Sequence, residues 1–144
     1  MASTIHSTAA DRLRDEGQRY TTQRRDLVDL LVEVEQPLTL PQLLERQSGL
    51  SQSSAYRNLA VLERAGVVHR IAGSDGFARY ELTEDLTGHH HHLICSACGE
   101  VVDFAVSDAV ERDLEVALHR AAQRAGFQVS GHRLDLVGTC ASCS

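Results

Sequence analysis

The stretch Ser51–Leu82, SQSSAYRNLAVLERAGVVHRIAGSDGFARYEL, decides the fold. It opens on a serine, whose hydroxyl suits a helix N-cap. Ala55, Leu59 and Leu62 then fall at i, i+4 and i+7, the spacing of one buried helix face. Gly66 ends that helix. VVHRIA and FARYEL follow on either side of a Gly-Ser-Asp-Gly turn, and their β-branched content predicts a hairpin.

Upstream, the pattern predicts three more helices. Ala9–Glu16 is closed by Gly17. A second helix, capped by Thr22, runs to about Val34 with Leu27, Leu30, Leu31 and Val34 on one side, and Pro37 breaks it. Thr39 caps a third, LPQLLERQ, that ends at Gly49. Helices followed by a two-stranded hairpin are the plan of a winged helix. On the fourth helix Ser53, Tyr56, Arg57, Ala60 and Arg64 lie opposite the apolar face. Such a set can reach base edges and phosphates from the major groove of DNA. Arg19, Arg24 and Arg25 could add phosphate contacts. An ordinary solvated helix would carry the same residues.

The rest of the chain reads differently. HHHHLIC and EVVDFAV are short strands flanking a Cys-x-x-Cys. Ser107 caps a long helix to about Ala125, with Val110, Leu114, Ala117, Leu118 and Ala121 as its buried side. QVSGHRLDLVGT is a further strand, and CASC closes the sequence. The expected architecture is α+β: a winged-helix domain over residues 1–82, a hinge at 83–88 and a small α/β domain at 89–144.

Charge supports the division. The net charge of −6 looks wrong for a nucleic-acid binder, but all 14 basic residues are arginine. Residues 1–82 hold ten of them against eleven acids, and residues 83–144 hold four against nine. An arginine-rich half joined to an acidic half suggests two units. MASTIHSTAADRLRDEG has no apolar core of a signal peptide, and no run reaches membrane-span length, so a cytoplasmic location with reduced cysteines is expected.

Cys95-x-x-Cys98 and Cys140-x-x-Cys143 offer four thiolates, the ligand set of a structural zinc site. Two disulfides or unligated thiols are the alternatives, and the expected reducing compartment and the absence of a fifth cysteine argue against both. In a strand, the histidines at 89–92 alternate between faces. His89 and His91 then serve one site, and His90 and His92 another. Candidate partners are His69 and Glu81 from the hairpin, Glu111 from the long helix, His132 from the last strand, and Asp103. Nitrogen and oxygen donors suit Zn(II), Fe(II) and Mn(II). His6 and His119 read as exposed.

SSAYRNLAVLERAGVV, YELT and HHHHLICSACGEVVDF, followed by the distal Cys-x-x-Cys, resemble the ferric uptake regulator (Fur) family from about Arg19 to Cys143. The resemblance implies a dimeric, metal-activated repressor whose winged helices bind a palindromic DNA operator and whose C-terminal domains dimerise. It implies structural zinc on Cys95, Cys98, Cys140 and Cys143, a hinge site using Glu81, His90 and His92, and a second site of His89, His91, Glu111 and His132. Pro37 stands where iron-sensing members place a further histidine. His69 matches a position used by zinc sensors and completes the expected hinge site with Glu81, His90 and His92, and Asp103 matches one used by peroxide sensors. The expected function is a zinc-sensing repressor, with iron and peroxide sensing as alternatives. A zinc hydrolase or deaminase would need motifs that are absent, and a metal store would not need the Tyr56/Arg57 face.

Overall fold

The structure is a computed structural model and describes residues 2–144. The first half holds four helices, α1 (Ala2–Asp15), α2 (Thr22–Val34), α3 (Leu40–Arg46) and α4 (Gln52–Arg64), with strands β1 (Leu38–Thr39), β2 (Val68–Ala72) and β3 (Ala78–Leu82). Side-chain caps set the helix starts. Thr21, one residue before the expected cap, accepts from the Arg24 amide, and Ser51 accepts from the Ser54 amide. Thr39 and Gln42 form a reciprocal capping box. α1 begins well before the expected Ala9, because its first turns already pack through His6 and Ala9.

The wing has three strands, in the order β1-β3-β2, rather than the expected two. β1 is only two residues long and pairs through Leu38↔Tyr80 and Thr39↔Arg79, too short to leave a sequence pattern. The core beneath is built from Leu13, Leu27, Val28, Leu38, Leu43, Leu59, Leu62 and Val67, all with no exposed surface. Each leucine so buried contributes roughly 1.5–3 kcal/mol.

After β3 a one-turn helix, α5 (Glu84–Thr87), occupies the segment expected as a hinge. The second half holds β4 (His91–Cys95), β5 (Val101–Phe104), α6 (Asp108–Arg124) and β6 (Asp135–Gly138). Its sheet runs β5-β4-β6, antiparallel on one side of β4 and parallel on the other. The last strand is shorter than expected, so His132 lies in the irregular segment before β6. The expected buried side of α6 is also corrected. No residue of α6 is buried in the single chain, and Val110 and Val116 are about half exposed. Leu114 and Leu118 on that side are only partly covered within one chain.

Candidate metal centres and nucleic-acid face

β2 and β3 pair His69 with Glu81, and β4 and β5 pair His92 with Asp103. The two ladders meet at a single oxygen. Glu81 Oε1 lies 2.6 Å from His69 Nε2, 3.1 Å from His90 Nε2 and 2.7 Å from His92 Nε2. Asp103 stands 3.5 Å from His90 and 3.4 Å from His92. Glu81, His90, His92 and Asp103 offer ligand atoms all within 4.8 Å of one another, while His69 reaches Glu81 from outside that set. Asp103, secondary in the sequence reading, therefore belongs to the group, and His69 stands at its rim. Glu81 comes from the wing, His92 and Asp103 from the second sheet and His90 from just before β4, so the group bridges the two.

Electrostatics follow from this crowding. Burial works against the Glu81 charge, but hydrogen bonds from His69, His92 and His90 outweigh it and hold the carboxyl far below its ordinary range. Burial, then repulsion from Glu81, pushes Asp103 up to about 6. Burial opposes protonation of His90 and His92, yet both are raised: His90 by the Gly88 carbonyl and Glu81, His92 by Glu81 and Asp103. One Asp103 oxygen is buried without a hydrogen-bond partner. Two carboxylates with converging imidazole nitrogens are a donor set that fits a divalent cation.

The second group gathers His89, His91, Glu111 and His132, again within 4.8 Å of one another. Glu111 receives His89 at 2.9 Å, His91 at 2.8 Å and His132 at 2.8 Å. The strand itself starts only at His91, but the alternation extends back to His89 and His90. Odd and even members of the run face different groups.

Cys95, Cys98, Cys140 and Cys143 form a third group, none of them in a disulfide. Tetrahedral zinc with sulfur at about 2.3 Å separates its sulfurs by about 3.8 Å. Cys98 and Cys140 Sγ lie 3.8 Å apart. The Cys98 and Cys140 amides donate to Cys95 Sγ at 3.5 and 3.4 Å, which brings that thiol down to about 6. Hydrogen bonding within the crowded thiols pushes Cys143 up to about 12. Gly99 takes φ +81 as the turn requires, and the wing tip sits against it: a Cβ there would lie 2.4 Å from Asp75 Cγ. Ser74 Oγ donates to the Cys95 carbonyl at 2.7 Å, and Arg79 holds Asp75 through two 2.9 Å bonds. Neither contact is visible in the sequence.

On α4, Ser53, Tyr56, Arg57 and Arg64 are exposed, as is Arg19 at the foot of α2. Arg24 is instead engaged internally, donating to Asn58 at 3.1 Å, Gln18 at 3.3 Å and the Arg19 carbonyl at 2.7 Å. Arg24 thus ties α2 to α4, and Asn58 and Gln23 join the face at 3.0 Å; their polarity was the signal that the sequence reading passed over. His6, read as exposed, is buried: it meets Tyr20 at 2.5 Å and Asp29 at 2.6 Å.

A winged helix joined to a sheet that carries three potential metal centres defines a metal-responsive transcriptional regulator. The chain belongs to the Ferric uptake regulator family, whose profile matches residues 15–137. It is 32% identical over 150 residues to the peroxide operon regulator of Bacillus subtilis (strain 168), covering 100% of this chain and 97% of that protein. The Vibrio cholerae ferric uptake regulator superposes with a TM-score of 0.70 at 28% identity, over 89% of this chain and 96% of that one. A zinc-bound manganese uptake regulator gives 0.67 at 30% identity, over 95% and 98%. The family's members are DNA-binding regulators rather than enzymes. No described helix is long and apolar enough to cross a membrane.

Proposed function

We propose that the chain is a metal-dependent repressor whose switch is the Glu81–His90–His92–Asp103 group and whose signal is peroxide. The observation that carries the reading is Asp103. With it the group is a thiolate-free set of two carboxylates and two imidazoles, donors that suit Fe(II) and Mn(II). The likeness to the Bacillus subtilis peroxide operon regulator along the whole chain supports the same choice over the zinc sensing expected from His69. The second reading, an uptake regulator, rests on His69 at 2.6 Å from Glu81.

Glu81 belongs to the wing, His92 and Asp103 to the second sheet and His90 to the segment just before β4, so these residues hold the two parts in one relative orientation when they share an ion. In a homodimer that orientation fixes the spacing of two α4 helices against half-sites about one helical turn apart on a palindromic operator. Ser53, Tyr56, Arg57 and Arg64 would read DNA there, with Arg19 at its backbone and Arg24 holding α2 against α4. Cys95, Cys98, Cys140 and Cys143 would hold structural zinc and pin the C-terminal segment to β4. An iron(II) ion in the switch would supply one-electron reduction of peroxide. Of the four side chains that would hold that ion, the imidazoles of His90 and His92 are the oxidisable ones: the hydroxyl radical would add to the ring, and loss of one more electron, to the ferric ion, and a proton would leave an oxygenated histidine.

The test is operator binding by protein loaded with Fe(II), Mn(II) or Zn(II), before and after dilute hydrogen peroxide. The expected result is that the iron form alone loses DNA binding, with added oxygen found by mass spectrometry on His90 or His92. Iron-loaded protein that keeps its operator after peroxide, together with zinc as the stronger activator, would move the assignment to the uptake reading.

A further inference from the structure

The short helix α5 is bolted to the winged half. The Thr83 amide donates to the Val67 carbonyl and the Thr83 hydroxyl to the Gly66 carbonyl, both at 3.0 Å. Arg12 spans from the Gly66 carbonyl at 2.6 Å to Asp85. Leu86 packs against the first core. With these ties α5 moves with α1 and β2, although it lies in the segment that separates the two sheets.

One side chain of α5 points the other way. Glu84 Oε2 lies 2.9 Å from His89 Nδ1, while His89 Nε2 faces Glu111 at 2.9 Å and His132 at 3.1 Å. A carboxylate only accepts, so His89 donates from Nδ1. When a cation takes the place of the proton that Nε2 gives to Glu111, His89 keeps its Nδ1–H on Glu84 and turns the Nε2 lone pair to the ion, the form in which imidazole ligates a metal.

We infer that Glu84 is the positioning residue through which the second group, His89–His91–Glu111–His132, reports its occupancy to the winged half. This rests on the reading that the second group holds a cation. A cation on Nε2 withdraws charge from the ring and strengthens the Nδ1–H bond to Glu84. Filling the site therefore tightens the strap between α5 and His89. By linkage, the strapped arrangement binds the cation more tightly in return. The switch group and the second group then act on the same segment from its two sides: Glu81 precedes it on β3, and His89 follows it.

The experiment uses the full chain, zinc-loaded at the thiolates, with His92→Ala disabling the switch group. Zinc(II) is titrated by competition with a chelating dye, and hydrogen exchange is followed across residues 83–88. Expected results are that Glu84→Ala weakens binding at the second group by about ten- to a hundredfold and that zinc no longer slows exchange in the segment. Glu84→Gln, which keeps an acceptor without the charge, restores most of the protection. Binding and protection unchanged in Glu84→Ala overturn the role of Glu84 and leave the second site standing. If the parent chain binds no ion that His132→Ala removes, both the site and the inference fall.

Discussion

Glu81 Oε1 accepts from three imidazoles at once, which makes it the point where protons and a metal compete. Against the opposing effect of burial, His90 is raised above the ordinary 6.5 by the Gly88 carbonyl and this carboxylate, and His92 by this carboxylate and Asp103. In the metal-free chain their contribution to stability is full below that ordinary value and is lost as pH rises through the raised ones. Metal binding has the opposite sign, because each ligand must first release its proton. Metal-dependent operator binding should therefore weaken between about pH 8 and about pH 6, while the chelated protein melts at a higher temperature at the acid end of that range. Parallel melting curves with and without metal check both directions; equal trends would remove the competition. The same geometry separates adjacent histidines. His90→Ala should abolish metal-dependent DNA binding, because it cuts a link between β3 and the second sheet. His89→Ala should reduce it only mildly, and a gel-shift series across metal concentration distinguishes the two. Equal losses would contradict the alternation along the run.

Local chemistry made most helices legible. The caps at Thr39, Ser51 and Ser107 are single side chains bonded to amides three residues away, and such signals survive in one dimension. The four cysteines and the odd–even split of the histidines were legible for the same reason. What was not legible depends on register. Asp103 joins the switch group because β5 runs antiparallel to β4 and sets it across from His92. β1 exists because Leu38 happens to meet Tyr80. Glu84 matters because α5 folds back toward His89. None of these pairings has a period in the sequence. The Thr39 box offers a test at this level, since the same threonine caps α3 and lies in β1. Thr39→Ala should cost about 1 kcal/mol from the cap alone, read as a lower urea midpoint with unchanged slope, and an unaltered midpoint would show that the box contributes nothing.

The second half leaves several large apolar side chains uncovered. Leu93, Val102, Val110, Val116, Leu136 and Val137 are each more than a third exposed, and β6 is an edge strand. The sequence correctly marked α6 as amphipathic, but the surface that would cover it is not in the same chain. If these side chains are covered by a second copy of the chain, a charge among them should break the pair. Val137→Asp, which sets a charge on the exposed edge, should shift the protein from dimer to monomer in sedimentation and weaken operator binding, with zinc content unchanged. A variant that stays dimeric would place the interface elsewhere.

An α6 that fully buries none of its residues at home makes endurance a matter of abundance. If its apolar side is covered only by another copy, folding and association share one equilibrium, and mass action enters the stability. Each tenfold dilution then removes roughly 1.4 kcal/mol per mole of dimer. Melting temperature should climb with protein concentration, and a cell that makes few copies would keep them shorter-lived as well as scarcer.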